Sequence, residues 1–271
     1  YLFWFHNHSG KTFRDRNPVW ISGGDVKDGK LHWSEPEILL YDPDPDVRIS
    51  YPDLIEQDGQ FWVSETQKSV ARVHKLDRSL LEGLWRQGDV KKVTRDGLEL
   101  SVEPGDAEGQ QIRMPGLPDL TEGGGFSVGM WLRFDDLEAG QILLDSRNAK
   151  GQGVWITTTE DSRLKLHFSD GERTAAWDCD PGLLETGKWH HVVFTVDGGP
   201  RIVTVLVDGR LCDGGEHRQY GWGRFDPKMG SVTGAKKVKI GPSFQGTCGS
   251  VRIYDRALRT SEAVSNFHAG R

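Results

Sequence analysis

Trp189-His190-His191-Val192-Val193-Phe194-Thr195-Val196-Asp197-Gly198-Gly199-Pro200-Arg201-Ile202-Val203-Thr204-Val205-Leu206-Val207-Asp208-Gly209 is the stretch whose reading decides the fold. Two runs rich in β-branched and aromatic residues flank Asp197-Gly198-Gly199-Pro200, and Asp208-Gly209 closes the second run. Asp-Gly supplies the positive φ that tight turns need, so a long antiparallel hairpin is expected. Val192, Phe194 and Val196 share one face, with Val203, Val205 and Val207 answering them across the ladder. His191, Val193 and Thr195 take the other face. A hairpin this apolar cannot stand alone in water and requires a second sheet to cover it.

Working outward, Leu98-Glu99-Leu100-Ser101-Val102 alternates cleanly as an edge strand would. Phe126-Ser127-Val128-Gly129-Met130-Trp131-Leu132-Arg133-Phe134 follows a triple glycine, and Gln141 to Arg147, Val154 to Thr159 and Leu164 to Gly171 continue as a meander. Lys237 to Pro242 and Gly249 to Leu258 close the set, and a terminal helical turn follows with Thr260 as N-cap and Glu262 in its first turn. These segments, with W-H-H-V-V-F-T-V-D and V-D-G-R-L at their centre, resemble a laminin-G-like, concanavalin A-like jelly roll. The resemblance runs from Leu98 to Arg271. It implies an antiparallel β-sandwich for residues 88–271.

The totals are consistent with an all-β chain. A length of 271 residues exceeds one typical domain, and 34 Gly with 12 Pro favour short strands and turns over long helices. A net charge of −6 argues against the basic face that nucleic-acid binding needs. No run approaches the roughly 18 apolar residues of a membrane span. Cys179, Cys212 and Cys248 are far apart and fit no metal spacing. They are read as three buried thiols, with one disulfide plus a free thiol as the alternative.

Tyr1 to Trp85 forms a first region. Strand-like runs recur every ten or so residues, several joined by Asp-Gly turns, as in the meanders that build propeller blades. Tyr51-Pro52-Asp53-Leu54-Ile55, followed by Asp58-Gly59-Gln60-Phe61-Trp62-Val63, resembles the blade opening of five-bladed propeller glycosidases. Trp33-Ser34-Glu35-Pro36 resembles the segment after an Asp-box in sialidases. The box is degenerate, because Asp28 and Trp33 keep its spacing while Val26 and Lys30 replace its serine and glycine. A blade takes roughly 40 to 50 residues, so residues 1–87 hold about two blades of an incomplete β-propeller. The start at Tyr1, inside an aromatic strand, reads as that of a processed or truncated product of a longer protein. The sandwich is placed at residues 88–271.

Glycoside hydrolysis needs two carboxyl groups flanking one bond. The propeller resemblance points to Asp53 and Glu65; the plain alternative is a turn cap and an exposed strand end. His6, Asn7 and His8 end an aromatic strand and are candidates for sugar contact, with Arg14, Arg16 and Arg48 as partners for an acidic sugar. Two histidines are a weak metal signal, and no cofactor is expected beyond a weak Ca²⁺ signal at Asp145 and Asp255, since Ca²⁺ takes roughly six to eight oxygen ligands. In the loop Gly214 to Phe225, Tyr220 and Trp222 are candidates to stack on a sugar while His217, Arg218 and Arg224 donate hydrogen bonds. The alternative has Trp222 and Phe225 plugging one end of the sandwich. His190 and His191 are read as strand residues.

Three functions follow as expectations: a carbohydrate-binding module attached to a glycan-active propeller, a glycosidase centred on Asp53 and Glu65, or a bracing sandwich that binds nothing. A polysaccharide partner and an extracellular, periplasmic or cell-surface location follow from the resemblance. The oligomeric state is not legible.

Overall fold

The computed structural model describes residues 1–6, 13, 16–67, 69–106 and 111–271. The chain forms two compact units: residues 1–90 with 259–262, and residues 91–258 with 263–271.

The first unit contains β1 (Leu2–His6), β2 (Val19–Lys27), β3 (Lys30–Trp33), β4 (Glu37–Leu40), β5 (Ser50–Gln57), β6 (Gln60–Thr66), β7 (Ala71–Lys75) and α1 (Arg78–Trp85). β2 is the spine of one sheet, with β1 on one edge and β3 and β4 in succession along the other. β5, β6 and β7 form a separate three-stranded meander. The turns are of the type the sequence dictates: Asp28-Gly29 and Asp58-Gly59 both take positive φ at each residue. Val19, Ile21, Leu39, Leu40, Val63, Leu81 and Leu84 share one buried cluster, so both sheets and α1 contribute to a single core. Asp77 caps α1 by accepting from the Ser79 amide. Within this unit the buried Glu37 carboxylate accepts the amide N–H groups of Thr260 (2.9 Å) and Ser261 (2.8 Å). Thr260 is therefore not the N-cap but the first helical residue, and Glu262 Oε2 accepts from the Arg259 amide one position earlier. Two small sheets are what the first region contains among the described residues; they do not close a ring.

The second unit contains β8 (Leu98–Val102), β9 (Gln111–Arg113), β10 (Gly125–Phe134), β11 (Ile142–Asp145), β12 (Gly153–Thr158), β13 (Leu164–Ser169), β14 (Thr174–Asp178), β15 (Trp189–Asp197), β16 (Ile202–Val207), β17 (Arg210–Leu211), β18 (Gly223–Arg224), β19 (Lys237–Ile240), β20 (Gly246–Tyr254) and most of α2 (Thr260–His268). One sheet runs β17-β16-β15-β10-β20-β8, with β18 beside β16; the other runs β14-β13-β12-β11-β19-β9. The central hairpin has the expected register, Val192 opposite Val207, Phe194 opposite Val205 and Val196 opposite Val203. All six face a core shared with Leu144, Ile156, Leu166, Phe168, Val238 and Ile240 of the second sheet. The chain is all-β in class, its second unit an antiparallel sandwich, with two short helices among the described residues.

The outer face of the first sheet is closed as well. Phe267 of α2 stacks on Trp131 (centroids 5.7 Å apart) and lies 6.1 Å from His191. His191 is buried, and burial pushes its imidazole down to about 3, so it is a neutral core residue. Asp208, in the Asp-Gly turn, accepts from the His191 amide (2.8 Å) and from His190 Nδ1 (2.8 Å), which locks the start of β15. All three cysteines are buried free thiols.

Candidate ligand-binding face

The predicted catalytic pair does not form a pair. Asp53 lies opposite Ser64, whereas Glu65, the next residue, lies opposite Arg72. Cross-strand partners share a face and neighbours alternate, so Asp53 and Glu65 point to opposite sides of the meander and cannot flank one bond. Asp53 is exposed; Glu65, far from being an exposed strand end, is 1% exposed. Glu65 Oε1 lies 3.5 Å from Arg72 Nη1 and 3.7 Å from His74 Nε2, and Arg72 also pairs with Asp42 at 3.0 Å. Among the described residues, neither Glu65 oxygen has a hydrogen-bond partner.

His6 donates from Nδ1 to the Arg16 carbonyl (3.2 Å), which leaves that nitrogen protonated and unfit to ligate a metal. Arg16 lies over the Tyr51 ring at 5.7 Å, and Arg48 is half-buried. Asn7, His8 and Arg14 lie outside the described residues. Among those described, no group of three or more His, Cys, Asp or Glu side chains is placed to hold a metal ion. Both Asp145 oxygens are taken by Arg147 (2.9 and 2.7 Å), a poor arrangement for a Ca²⁺ ligand.

The loop from Gly214 to Phe225 folds inward. Trp222 is 6% exposed and Phe225 lies in the core against Phe168, so neither offers a free platform; the plug is what the structure contains. Tyr220 stacks on Trp222 at 5.4 Å. Arg218 donates to Asp178 Oδ1 (2.6 Å) and lies 4.3 Å over Trp177, while Arg163 donates to His217 Nε2 (3.1 Å). Arg224 is half-buried in β18. His217 and Arg218, expected to meet a sugar, instead fasten this loop to the edge of the second sheet, while Arg224 lies in β18 beside β16 of the first.

The open surface lies elsewhere, on the outer face of that second sheet. Register places Lys239, Asp145, Trp155 and His167 in one row across β19, β11, β12 and β13. The next row on one side carries Thr157 and Lys165, and on the other Arg113 and Lys237. Trp155 stands between two partners: His167 lies parallel to it (4.9 Å, 3°), and the exposed Arg147 guanidinium sits 4.7 Å from the ring centroid. Burial, helped by the charges of Lys165 and Arg147, pushes His167 down to about 4, so at neutral pH it is an uncharged stacking partner and its Nε2 meets Thr157 Oγ1 at 3.1 Å. Burial raises the Asp145 carboxyl, but the Arg147 guanidinium outweighs it and holds it below the usual range. Of this row the sequence marks Asp145 alone, and for Ca²⁺ rather than for a sugar. The row's signal was the alternation of β12 and β13, in which Trp155 and His167 occupy the non-core positions.

Residues 106–264 match the family described as the concanavalin A-like lectin/glucanases superfamily. The chain belongs to that superfamily. Solved structures similar to this superfamily member include the Ruminococcus gnavus IT-sialidase CBM40 bound to α2,3-sialyllactose (15% identity, 62% of this chain and 98% of that one, TM-score 0.44). Leech intramolecular trans-sialidase is 18% identical over 66% of this chain and 29% of its own, with a TM-score of 0.46. A mutant Trypanosoma rangeli sialidase displaying trans-sialidase activity is 16% identical with a TM-score of 0.43; this chain is covered in full and spans 51% of that protein's length. No curated protein matches the chain in sequence. No helix among the described residues is long and apolar enough to cross a membrane.

Proposed function

We propose that the second unit is a carbohydrate-binding module that takes its ligand on the outer face of the second sheet. The observation that carries this reading is the Arg147–Trp155–His167 stack, half-exposed in the middle of a six-stranded face, while the opposite sheet is covered by Phe267. Sugars are recognised by an apolar ring surface combined with convergent hydrogen-bond donors, and Trp155, Thr157, Arg147 and Lys165 supply both. Arg147 covers one indole face with an exposed guanidinium, a cover that a pyranose ring can displace. Membership of a lectin/glucanase superfamily supports the ligand class. Such a module fits a cell-surface or extracellular glycan-active protein. Affinity electrophoresis against a polysaccharide panel tests it: Trp155→Ala is expected to weaken retention about tenfold, the loss of roughly 1.4 kcal/mol of stacking. Undiminished retention of a folded Trp155→Ala variant would remove this face from consideration.

One observation favours a second reading, glycoside hydrolysis in the first unit. Glu65 is a fully buried carboxyl group beside Arg72 and His74 with no hydrogen bond to either oxygen among the described residues, and an unsatisfied buried polar group calls for an explanation, of which a catalytic role is one. The outer faces of both sheets of the first unit carry exposed apolar side chains (Phe3, Trp33, Ile55, Val73), which suits blade-like sheets that stack face to face. Hydrolysis of aryl glycosides, lost in Glu65→Gln and kept in Asp53→Asn, is the expected outcome; a Glu65→Gln variant of full activity would dismiss the residue.

A further inference from the structure

The chain as a whole is acidic, with a net charge of −6, yet the outer face of the second sheet is not. Arg113 on β9 lies directly opposite Lys237 on β19, and Lys239, two residues on, shares the same face. All three are exposed, and among the described residues none has a carboxylate within ion-pair distance. Arg147 and Lys165 extend the same surface across β11 and β13.

The carboxylates on this face are already engaged. Asp145 is held on both oxygens by Arg147, and Asp178 is held by Arg163 (2.9 Å) and Arg218 (2.6 Å), with Lys165 a further 3.6 Å away. Glu99 lines the same shallow pocket as Arg113 at the β9 edge but makes no ion pair with it. Lys239 faces Asp145 across the ladder, but Arg147 already holds both oxygens of that carboxylate, so the three ammonium or guanidinium groups project from adjacent strands, next to the aromatic row, without an ion pair of their own. A neutral polysaccharide makes no use of them. Like charges held together on a sheet repel one another, and a bound anion relieves that repulsion.

We infer that the glycan this face takes is anionic, its carboxylate or sulfate groups lying along Arg113, Lys237 and Lys239 while a sugar ring meets Trp155. The inference rests on the carbohydrate-binding reading of the same face and adds the charge of the ligand to it. Carboxylate and sulfate share the geometry that guanidinium and ammonium donors recognise. The spacing of neighbouring strands, about 4.8 Å, suits successive acidic groups along a polymer better than one isolated charge.

The intact chain is tested by affinity electrophoresis with dextran, dextran sulfate and polygalacturonate, which separate charge from backbone and sulfate from carboxylate. Retention by dextran sulfate, by polygalacturonate or by both, without retention by dextran, is the expected result, and which polymer binds assigns the group. The triple variant Arg113→Glu/Lys237→Glu/Lys239→Glu is expected to lose at least about tenfold in retention, and raised salt to mimic it. A control, Lys30→Glu/Lys188→Glu, reverses two exposed lysines elsewhere and is expected to leave retention unchanged. The neutral variant Arg113→Gln/Lys237→Gln/Lys239→Gln gives an intermediate loss and guards against a folding artefact. Binding of a neutral glycan with no response to the triple reversal overturns the inference and leaves the carbohydrate-binding reading standing. Binding of no polymer at all defeats both. Equal losses in the triple and control variants also overturn it, because net charge alone would then account for binding.

Discussion

Asp197 and Asp208 both belong to Asp-Gly steps of one hairpin, and their environments give them opposite roles. Asp208 places its two oxygens on the His191 amide and His190 Nδ1, so its charge is used. Asp197 receives a single hydrogen bond, from the Gly199 amide at 2.9 Å, and burial pushes its carboxyl up to about 6. The folded chain therefore binds this proton more tightly than the unfolded chain, whose aspartate titrates near 3.8. Stability from this group is fully present below about pH 4 and is lost as pH rises to about 6. Asparagine keeps the acceptor for Gly199 and removes the charge. Asp197→Asn is expected to stabilise the protein by about 1–2 kcal/mol at pH 8, discounting the full shift for the water that reaches this half-buried side chain, and to be neutral at pH 4. Chemical denaturation at the two pH values checks it; an equal effect at both would mean that the charge is not the cause.

At the scale of elements, what was legible was what local chemistry fixes. The hairpin register followed from period-2 alternation between two turns with positive φ, and the same logic set the Asp28-Gly29 and Asp58-Gly59 turns. The candidate sites were less legible because a site depends on which face each residue takes and on what covers that face. The resemblance joins Asp53 and Glu65 but the strand pairing separates them, and Trp222 reads from sequence as either a platform or a plug until the inward turn of its loop buries it. Trp155 and His167 do not stand out in the sequence because an aromatic residue on a strand reads first as core. The packing of α1 on β2 was equally silent in the sequence. A Cβ at Gly23 would come within 2.9 Å of Leu84 Cβ and 3.1 Å of Trp85 Cδ1, so only glycine lets the helix sit this close to the strand. Gly23→Ala is expected to destabilise by about 1–3 kcal/mol, the usual cost of overpacking, and to speed amide exchange across residues 78–85. Unchanged exchange in the helix would show that α1 adjusts without cost.

At the scale of the molecule, the two units differ in how their cores are drawn from the chain. The buried cluster of the second unit runs from Val102 to Ile253 and takes no residue from the first 90. The first unit's cluster runs from Val19 to Leu84. Cores that share no side chain can form independently, and a sandwich of this size buries enough apolar surface to hold itself together. The segment Lys92 to Thr94 completes the second unit: Ser265 Oγ donates to the Lys92 carbonyl (2.7 Å), and the Thr94 amide donates to Asn266 Oδ1 (2.7 Å). A fragment that begins at Lys91 keeps these ties, whereas one that begins at Leu98 gives them up along with the Tyr254 hydroxyl bond to the Thr94 carbonyl. Residues 91–271 are therefore expected to fold alone, to melt cooperatively with a β-type circular dichroism spectrum, and to retain glycan binding that Trp155→Ala weakens. Residues 98–271 are expected to melt several degrees lower, each lost hydrogen bond contributing about 1 kcal/mol. If the longer fragment aggregates while the whole chain stays soluble, the sandwich depends on the first unit, and the reading of a self-sufficient binding module falls with it.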